Sequence, residues 1–301
     1  VTPVAGAVHG PLAAGERVLL VDPKQRRYLV TLQPGAQFHT HSGILAHDDV
    51  IGQQEGSTVG ATTGRRFVVV RPTLAEVVLK MPRGAQVIYP KDLGAILLAA
   101  DIGPGMRVLE AGVGSGALSM ALLRAGASVV GYEVRADFAA GARANVATWT
   151  GPDAPYRVEE RDVYEGIEER GLDRIVLDLP EPWRVLGPAR EAMRPGGILL
   201  AYLPSITQVA TLRAAMAEGP FGMAETSEVL RRTWHVEHRS VRPDHRMVAH
   251  TGFLTTARLL VPTDEVPTDE VPTDEVPTDE VRPDGGGRSA PDDRPDGGDE
   301  S

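Results

Sequence analysis

Val108-Leu109-Glu110-Ala111-Gly112-Val113-Gly114-Ser115-Gly116 is the stretch on which the fold turns. An apolar run ends in an acid and enters Gly-x-Gly-x-Gly. Leu118, Ala121, Leu122 and Ala125 then fall on one helical face. The reading is a strand over 107–111, a tight turn, and a helix over 115–125. Glycines let the backbone turn sharply and bring its N–H groups close to a ligand. Outward from this point the same alternation repeats. Strands are expected at 128–133, 156–161, 174–179 and 198–203, with helices at 136–148 and 187–193. Serial β–α–β units with short loops predict an α/β domain with a largely parallel sheet, whose ligands sit at the carboxyl ends of the strands.

The acids at those strand ends narrow the ligand. A dinucleotide fingerprint spaces its glycines Gly-x-Gly-x-x-Gly and sets a pyrophosphate on the helix N-terminus. Here the third glycine comes one residue early, and Glu110 stands just before the loop. A carboxylate there repels a pyrophosphate and suits a sulfonium cation bearing an ammonium group. Glu133 ends the next strand, placed to accept hydrogen bonds from ribose hydroxyls, and Asp162 follows the third strand, placed to meet an adenine amino group. Together Glu110, Gly112, Gly114, Gly116, Glu133 and Asp162 indicate S-adenosylmethionine as the cofactor. The competing reading of Glu133 and Asp162 is that they cap a helix or loop.

The fourth strand runs into Asp178-Leu179-Pro180-Glu181-Pro182-Trp183. A carboxylate, two prolines that stiffen the loop, and an aromatic resemble the Asp-Pro-Pro-Tyr type of motif found in methyltransferases of base nitrogens. Asp178 is placed to accept from an exocyclic amine and Trp183 to stack a base; otherwise Asp178 is a turn residue and Trp183 a core aromatic.

Two regions flank this domain. Residues 1–75 read as a small all-β domain, a barrel or sandwich, with strands at 17–21, 27–32 and 66–70 between Asp-Pro and Pro-Gly turns. Within it, His39-Thr40-His41 with His47, Asp48 and Asp49 reads as a polar loop rather than a metal site, and no metal is expected. Residues 76–260 hold the Rossmann-like domain. Residues 261–301 begin with four copies of Val-Pro-Thr-Asp-Glu, and proline at every fifth position with dense acid predicts a disordered tail.

The tail also explains the charge. The chain of 301 residues has a formal net charge of −10, but residues 261–301 hold 14 acids against 3 arginines. The remainder has 27 acids and 28 bases, a net of +1. The neutral body leaves nucleic-acid binding to local clusters. Candidates for phosphate contact are Arg65, Arg66, Arg71, Lys80, Arg83 and Lys91, then Arg231, Arg232, Arg239, Arg242 and Arg246. The absence of cysteine excludes disulfides, a thiol nucleophile and Cys-ligated metals. No window reads as a membrane helix, and no basic-plus-apolar leader precedes the first strand, so a soluble cytoplasmic setting is expected.

The chain resembles the tRNA (adenine-N1)-methyltransferase family that modifies adenosine 58 of the T loop. Besides the glycine loop and the Asp178 motif, the resemblance rests on His39-Thr40-His41-Ser42-Gly43, Gln86-Val87-Ile88-Tyr89-Pro90-Lys91-Asp92 and the run from Arg242 to Leu254. It implies a class I S-adenosylmethionine-dependent methyltransferase sheet behind a small N-terminal β domain, a homotetramer, and tRNA as substrate. It also implies a cofactor-binding loop of Gly112, Val113, Gly114 and Ser115, the roles of ribose acid for Glu133 and adenine-side acid for Asp162, and contact with both cofactor and target base for Asp178. Phe138 departs from the polar residue that the family can place five beyond the ribose acid. Extraction of adenosine 58 from the tRNA elbow requires a replacement for its lost stacking, and Tyr89, Trp183, His245 and His250 are the candidates. The competing functions are another class I methyltransferase, acting on a small molecule or a protein carboxylate, and a non-catalytic tRNA-binding subunit. A nicotinamide oxidoreductase is disfavoured by the glycine spacing and Glu110.

Overall fold

The computed structural model describes residues 10–261, apart from 42, 82, 83 and 85. The acidic repeats from 262 onward, Ser42 and Arg83 therefore lie outside the described residues.

The N-terminal region carries strands β1 (Arg17–Val21), β2 (Arg27–Thr31), β3 (Gln37–Thr40), β4 (Gly43–Ala46), β5 (Thr58–Gly60) and β6 (Arg66–Val70). Four of them form an antiparallel sheet in the order β2-β1-β6-β5, and β3 pairs with β4 as a separate hairpin. Val18, Leu20, Phe67 and Val69 share a core with Leu12, Leu32, Leu45 and Val50. This corrects the polar loop read from 39–49. Phe38 opposite Leu45 gives the hairpin its apolar side, while His39 and His41 take the exposed alternate positions. The histidines and Asp48-Asp49 mask a strand whose inward face is short. His47 is buried, its Nδ1 accepting from the Gln33 N–H at 3.0 Å. Among the described residues no three His, Cys, Asp or Glu side chains are grouped to hold a metal.

Helix α1 (Leu74–Lys80) follows, opened by a capping box in which Thr73 and Glu76 exchange hydrogen bonds. Helix α2 (Pro90–Ala99) begins with proline, whose missing N–H is no loss there. The alternating series is then β7 (Arg107–Ala111), α3 (Ala117–Arg124), β8 (Ser128–Glu133), α4 (Ala136–Thr150), β9 (Tyr156–Glu160), β10 (Leu172–Leu177), α5 (Leu186–Ala192), β11 (Met193–Leu203), α6 (Ile206–Ala217) and β12 (Phe221–Glu228). A two-stranded ribbon, β13 (Trp234–Glu237) and β14 (Ser240–Pro243), precedes the last strand, β15 (Phe253–Leu259).

The main sheet has seven strands in the order β12-β15-β11-β10-β7-β8-β9. The run from β11 to β9 is parallel, whereas β15 and β12 are antiparallel. Residues of β10 are buried on both faces: Val176 packs towards α2 and α3, Ile175 and Leu177 towards α5 and α6. Chain direction across the sheet reverses between β7 and β10, the switch point at which such sheets open a crevice. Element limits shift slightly from the sequence reading. Helix α3 starts at Ala117 because Gly116, at φ 83°, is left-handed and closes the turn. Strand β11 starts at Met193, which pairs with Leu172 across a register shift.

Candidate active site

The switch point brings the glycine loop together with Glu110, Glu133 and Asp178, whereas Asp162 stands after β9. Gly112, Gly114 and Gly116 have φ of 84°, 56° and 83°, a region in which a side chain is strained. Gly112 is further restricted by space: a Cβ there would stand 2.2 Å from the Asp178 carbonyl oxygen. The Asp178 N–H donates to the Ala111 carbonyl at 2.9 Å, so the two loops leave β7 and β10 in contact. Asn145 on α4 donates to the Ser115 carbonyl at 3.0 Å and fixes the far side. Helix α3 has no side-chain cap, which leaves its first N–H groups for a ligand or solvent.

Glu133 is buried at the end of β8. Its Oε2 accepts from the Gly114 N–H at 2.9 Å and its Oε1 from the Arg135 N–H at 3.0 Å. The carboxylate thus holds the loop in shape and keeps lone pairs for hydroxyl donors. Asp162 accepts from the Tyr164 N–H at 2.9 Å, capping a short helical turn after β9. The turn-capping reading therefore describes one of its oxygens.

Glu110 is enclosed beneath α3. Its Oε2 accepts from the Ser119 hydroxyl at 2.5 Å, and that hydroxyl lies 3.1 Å from the Tyr156 hydroxyl. Its Oε1 is buried without a hydrogen-bond partner. Burial pushes the carboxyl up to about 8, and Asp178 and Glu133 add to the rise against the Ser119 bond. Asp178 is pushed up to about 6 by burial. An acidic, water-poor pocket with one unmatched carboxyl oxygen is short of a cation. That is the complement of a ligand with sulfonium and ammonium groups, and the residues present fit S-adenosylmethionine.

The candidate base-stacking residues differ in burial. Tyr89 is half-buried just before α2. Trp183 is half-buried and packs on the core beneath α5 and α6, so part of its ring serves as core. His245 is exposed. His250 is exposed but tethered at both ring nitrogens: Nδ1 lies 2.7 Å from Glu228, Nε2 2.9 Å from the Pro204 carbonyl, and the ring 4.8 Å from Phe253.

Two basic residues leave the phosphate-contact set. Arg71 is committed to Glu16 and Glu55, each at 3.0 Å. Lys91 is enclosed and paired with Asp92 at 2.8 Å. A phosphate would have to displace these carboxylates, at the cost of leaving a buried charge unmatched. Arg231, Arg232, Arg239, Arg242 and Arg246 are exposed. Tyr202 and Thr251, next to Asp178 and Lys91, are functional neighbours that sequence reasoning misses. One usable signal exists: a lysine in the first turn of an apolar helix opposes the helix dipole and implies a buried partner.

Comparison with known proteins shows the family. Residues 10–59 match the TrmI-like N-terminal family and residues 66–245 the family described as tRNA methyltransferase complex GCD14 subunit. The chain is 40% identical over 245 residues to the tRNA (adenine(58)-N(1))-methyltransferase TrmI of Thermus thermophilus, covering 80% of this chain and 96% of that one. It is 34% identical to the tRNA (adenine(57)-N(1)/adenine(58)-N(1))-methyltransferase TrmI of Methanocaldococcus jannaschii, over 80% and 94% of the two chains. Among solved structures it is similar to a SAM-dependent O-methyltransferase from Thermotoga maritima (TM-score 0.82, 32% identity, 86% and 98% coverage). It is also similar to the tRNA (m1A58) methyltransferase TrmI from Aquifex aeolicus (TM-score 0.75, 30% identity, 84% and 100% coverage).

Proposed function

The chain belongs to the tRNA (adenine-58-N1)-methyltransferase family, and on that premise we propose that it methylates N1 of adenosine 58 in tRNA with Asp178 beside the target base. It is an S-adenosylmethionine-dependent methyltransferase with a class I sheet. When bound, the cofactor supplies an electrophilic methyl group, which the lone pair of a ring nitrogen can accept without prior loss of a proton.

The observation that carries the reading is the contact between the glycine loop and Asp178, with Gly112 packed on the Asp178 backbone at the end of β10. Glu133 and the loop N–H groups would hold the sugar end of the cofactor, Asp162 would serve its adenine, and Glu110 would balance its cationic end. Asp178 accepts from the N6 amine of adenine and stabilises the positive charge that spreads over the ring as N1 is alkylated. In-line placement of N1 supplies much of the remaining rate. Intact Gly112, Gly114, Gly116 and Asp178 favour this reading over a non-catalytic tRNA-binding subunit.

The finer organisation belongs to the same proposal. The division is a β domain over 1–75, a catalytic domain over 76–260 and an acidic tail over 261–301. The assembly is a homotetramer, supported by exposed apolar residues on the β13–β14 ribbon: Trp234 at 57%, Val236 at 71% and Val241 at 60%. The setting is cytoplasmic; no described helix is long and apolar enough to cross a membrane. Tyr89, Trp183 and His245 remain the stacking candidates, with His250 as a support.

Mass spectrometry of tRNA digests after incubation with labelled cofactor tests the reading. Label should appear as 1-methyladenosine at position 58, and Asp178→Asn should lose it while tRNA affinity changes only severalfold. A charge-assisted hydrogen bond worth about 1.5–3 kcal/mol, strengthened where charge develops, corresponds to a fall in kcat on the order of 10²-fold. Label on another nucleotide, or near wild-type transfer by Asp178→Asn, would refute it.

A further inference from the structure

Lys91 is the second residue of α2, and its side chain is 6% exposed. Both the helix dipole and burial oppose an ammonium there, so its partners must hold it. Nζ donates to Asp92 Oδ1 at 2.8 Å, to the Thr251 hydroxyl at 2.6 Å and to the Val229 carbonyl at 2.6 Å. The Thr251 hydroxyl donates in turn to Asp92 Oδ2 at 2.6 Å. All three ammonium protons and both carboxylate oxygens of the fully buried Asp92 are thereby used in one closed set.

The set joins distant parts of the chain. Val229 and Thr251 are the two ends of the segment that carries the β13–β14 ribbon. Gly252, next to Thr251, lies against Tyr202: a Cβ there would be 2.5–2.8 Å from the ring and its hydroxyl. The Tyr202 hydroxyl lies near Thr251 and Asp92. Tyr202 follows Ala201, which pairs with Leu177, so Tyr202 and Asp178 leave neighbouring parallel strands side by side.

We propose that Lys91, Asp92 and Thr251 are positioning residues for methyl transfer: they close both ends of residues 229–251 onto α2 and hold Tyr202 against Gly252 beside Asp178. This rests on the reading of Asp178 as the residue that meets the target base. A buried ion pair adds little net stability compared with apolar residues of the same volume. Its directed bonds instead fix three chain segments in one arrangement, which a greasy contact would leave loose. Removing one partner lowers the melting temperature as well, by leaving a buried charge unmatched, so the positioning role is read in kcat at unchanged binding.

Thr251→Val keeps the shape and deletes the hydroxyl; Thr251→Ser keeps the hydroxyl and deletes the methyl. Single-turnover transfer to tRNA, affinity for cofactor and for tRNA, and hydrogen–deuterium exchange over 229–251 are compared in the full chain. Thr251→Val should transfer at least tenfold more slowly, with both affinities within about twofold and faster exchange at 229–251. Thr251→Ser should stay within about twofold of wild type in every measurement. Lys91→Met should follow Thr251→Val; should it fail to fold, the threonine pair decides alone. Wild-type transfer by Thr251→Val, an equal loss in Thr251→Ser, or a loss explained by weaker binding overturns the proposal. Absence of methylation at adenosine 58 in the wild type would refute the function instead, and exchange over 229–251 would still judge the latch.

Discussion

Two carboxyl groups beside the glycine loop keep protons that exposed carboxyls would have lost. Asp178 is pushed up to about 6 by burial, so it is mostly ionised at neutral pH and largely neutral near pH 5. If the ionised form stabilises charge on adenine, kcat/KM, which reports the free enzyme, should rise with pH through an apparent value near 6. A rate profile from pH 5 to 8 checks this, and a flat profile in wild type counts against the electrostatic role. Glu110, pushed up to about 8, interacts with Asp178, so apparent values belong to the pair. Near pH 7 the pocket by itself holds Glu110 mostly neutral, and a cationic ligand favours its ionised form. Cofactor binding should therefore release protons, seen as a buffer-dependent enthalpy in calorimetry that Glu110→Gln removes. The stability effect has a defined sign: folding raises this pKa, so the folded chain binds more protons than the unfolded one between about 4.5 and 8. Stability loses ground as pH rises through that window. Denaturation at pH 5 and pH 8 should show Glu110→Gln gaining on the wild type at the higher pH.

The strand–turn–helix unit at β7 tests conformation against space. Gly114 has φ 56° and nothing within 4 Å of where a Cβ would stand, whereas Gly112 faces the Asp178 carbonyl at 2.2 Å. Gly114→Ala should cost about 1 kcal/mol of strain and bind cofactor with modest weakening. Gly112→Ala must push apart the β7 and β10 loops, and it should lose cofactor binding and several degrees of melting temperature. Equal effects from the two substitutions would show that backbone strain alone governs the loop. The catalytic sheet is legible in the sequence because β7 and β10 are near-continuous apolar runs, buried on both faces. Strands at 17–21, 66–70, 107–111 and 128–133 follow from it to the residue. The hairpin at 37–46 does not, since its exposed histidines outnumber the side chains it buries. Nor is the Lys91–Thr251 tie legible: periodicity reports each element's own faces, while a bond across 160 positions reports the tertiary fold.

At the scale of the molecule, charge is distributed unevenly. The body carries a net of +1, and the tail after residue 260 a net of −11. With Arg71 and Lys91 out of the phosphate-contact set, the exposed candidates among the described residues are Arg66, Lys80 and the five arginines between 231 and 246, on and beside the β13–β14 ribbon. Replacing two of them, as in Arg239→Ala with Arg242→Ala, should weaken tRNA binding and flatten its salt dependence by about one unit of slope per lost phosphate contact. The tail acts on the same quantity in the opposite direction. A tethered polyanion raises the local negative potential and competes with RNA phosphates for the same arginines, an effect confined to about 10 Å at 0.1 M salt. A chain ending at Leu260 should therefore bind tRNA more tightly at low salt, by a severalfold margin that vanishes near about 0.3 M. Proline-punctuated acid adds nothing to an apolar core, so melting temperature and single-turnover transfer should be unchanged. A fall in either on truncation would show that the acidic repeats dock on the body, and salt titration of tRNA binding by both chains would separate docking from competition.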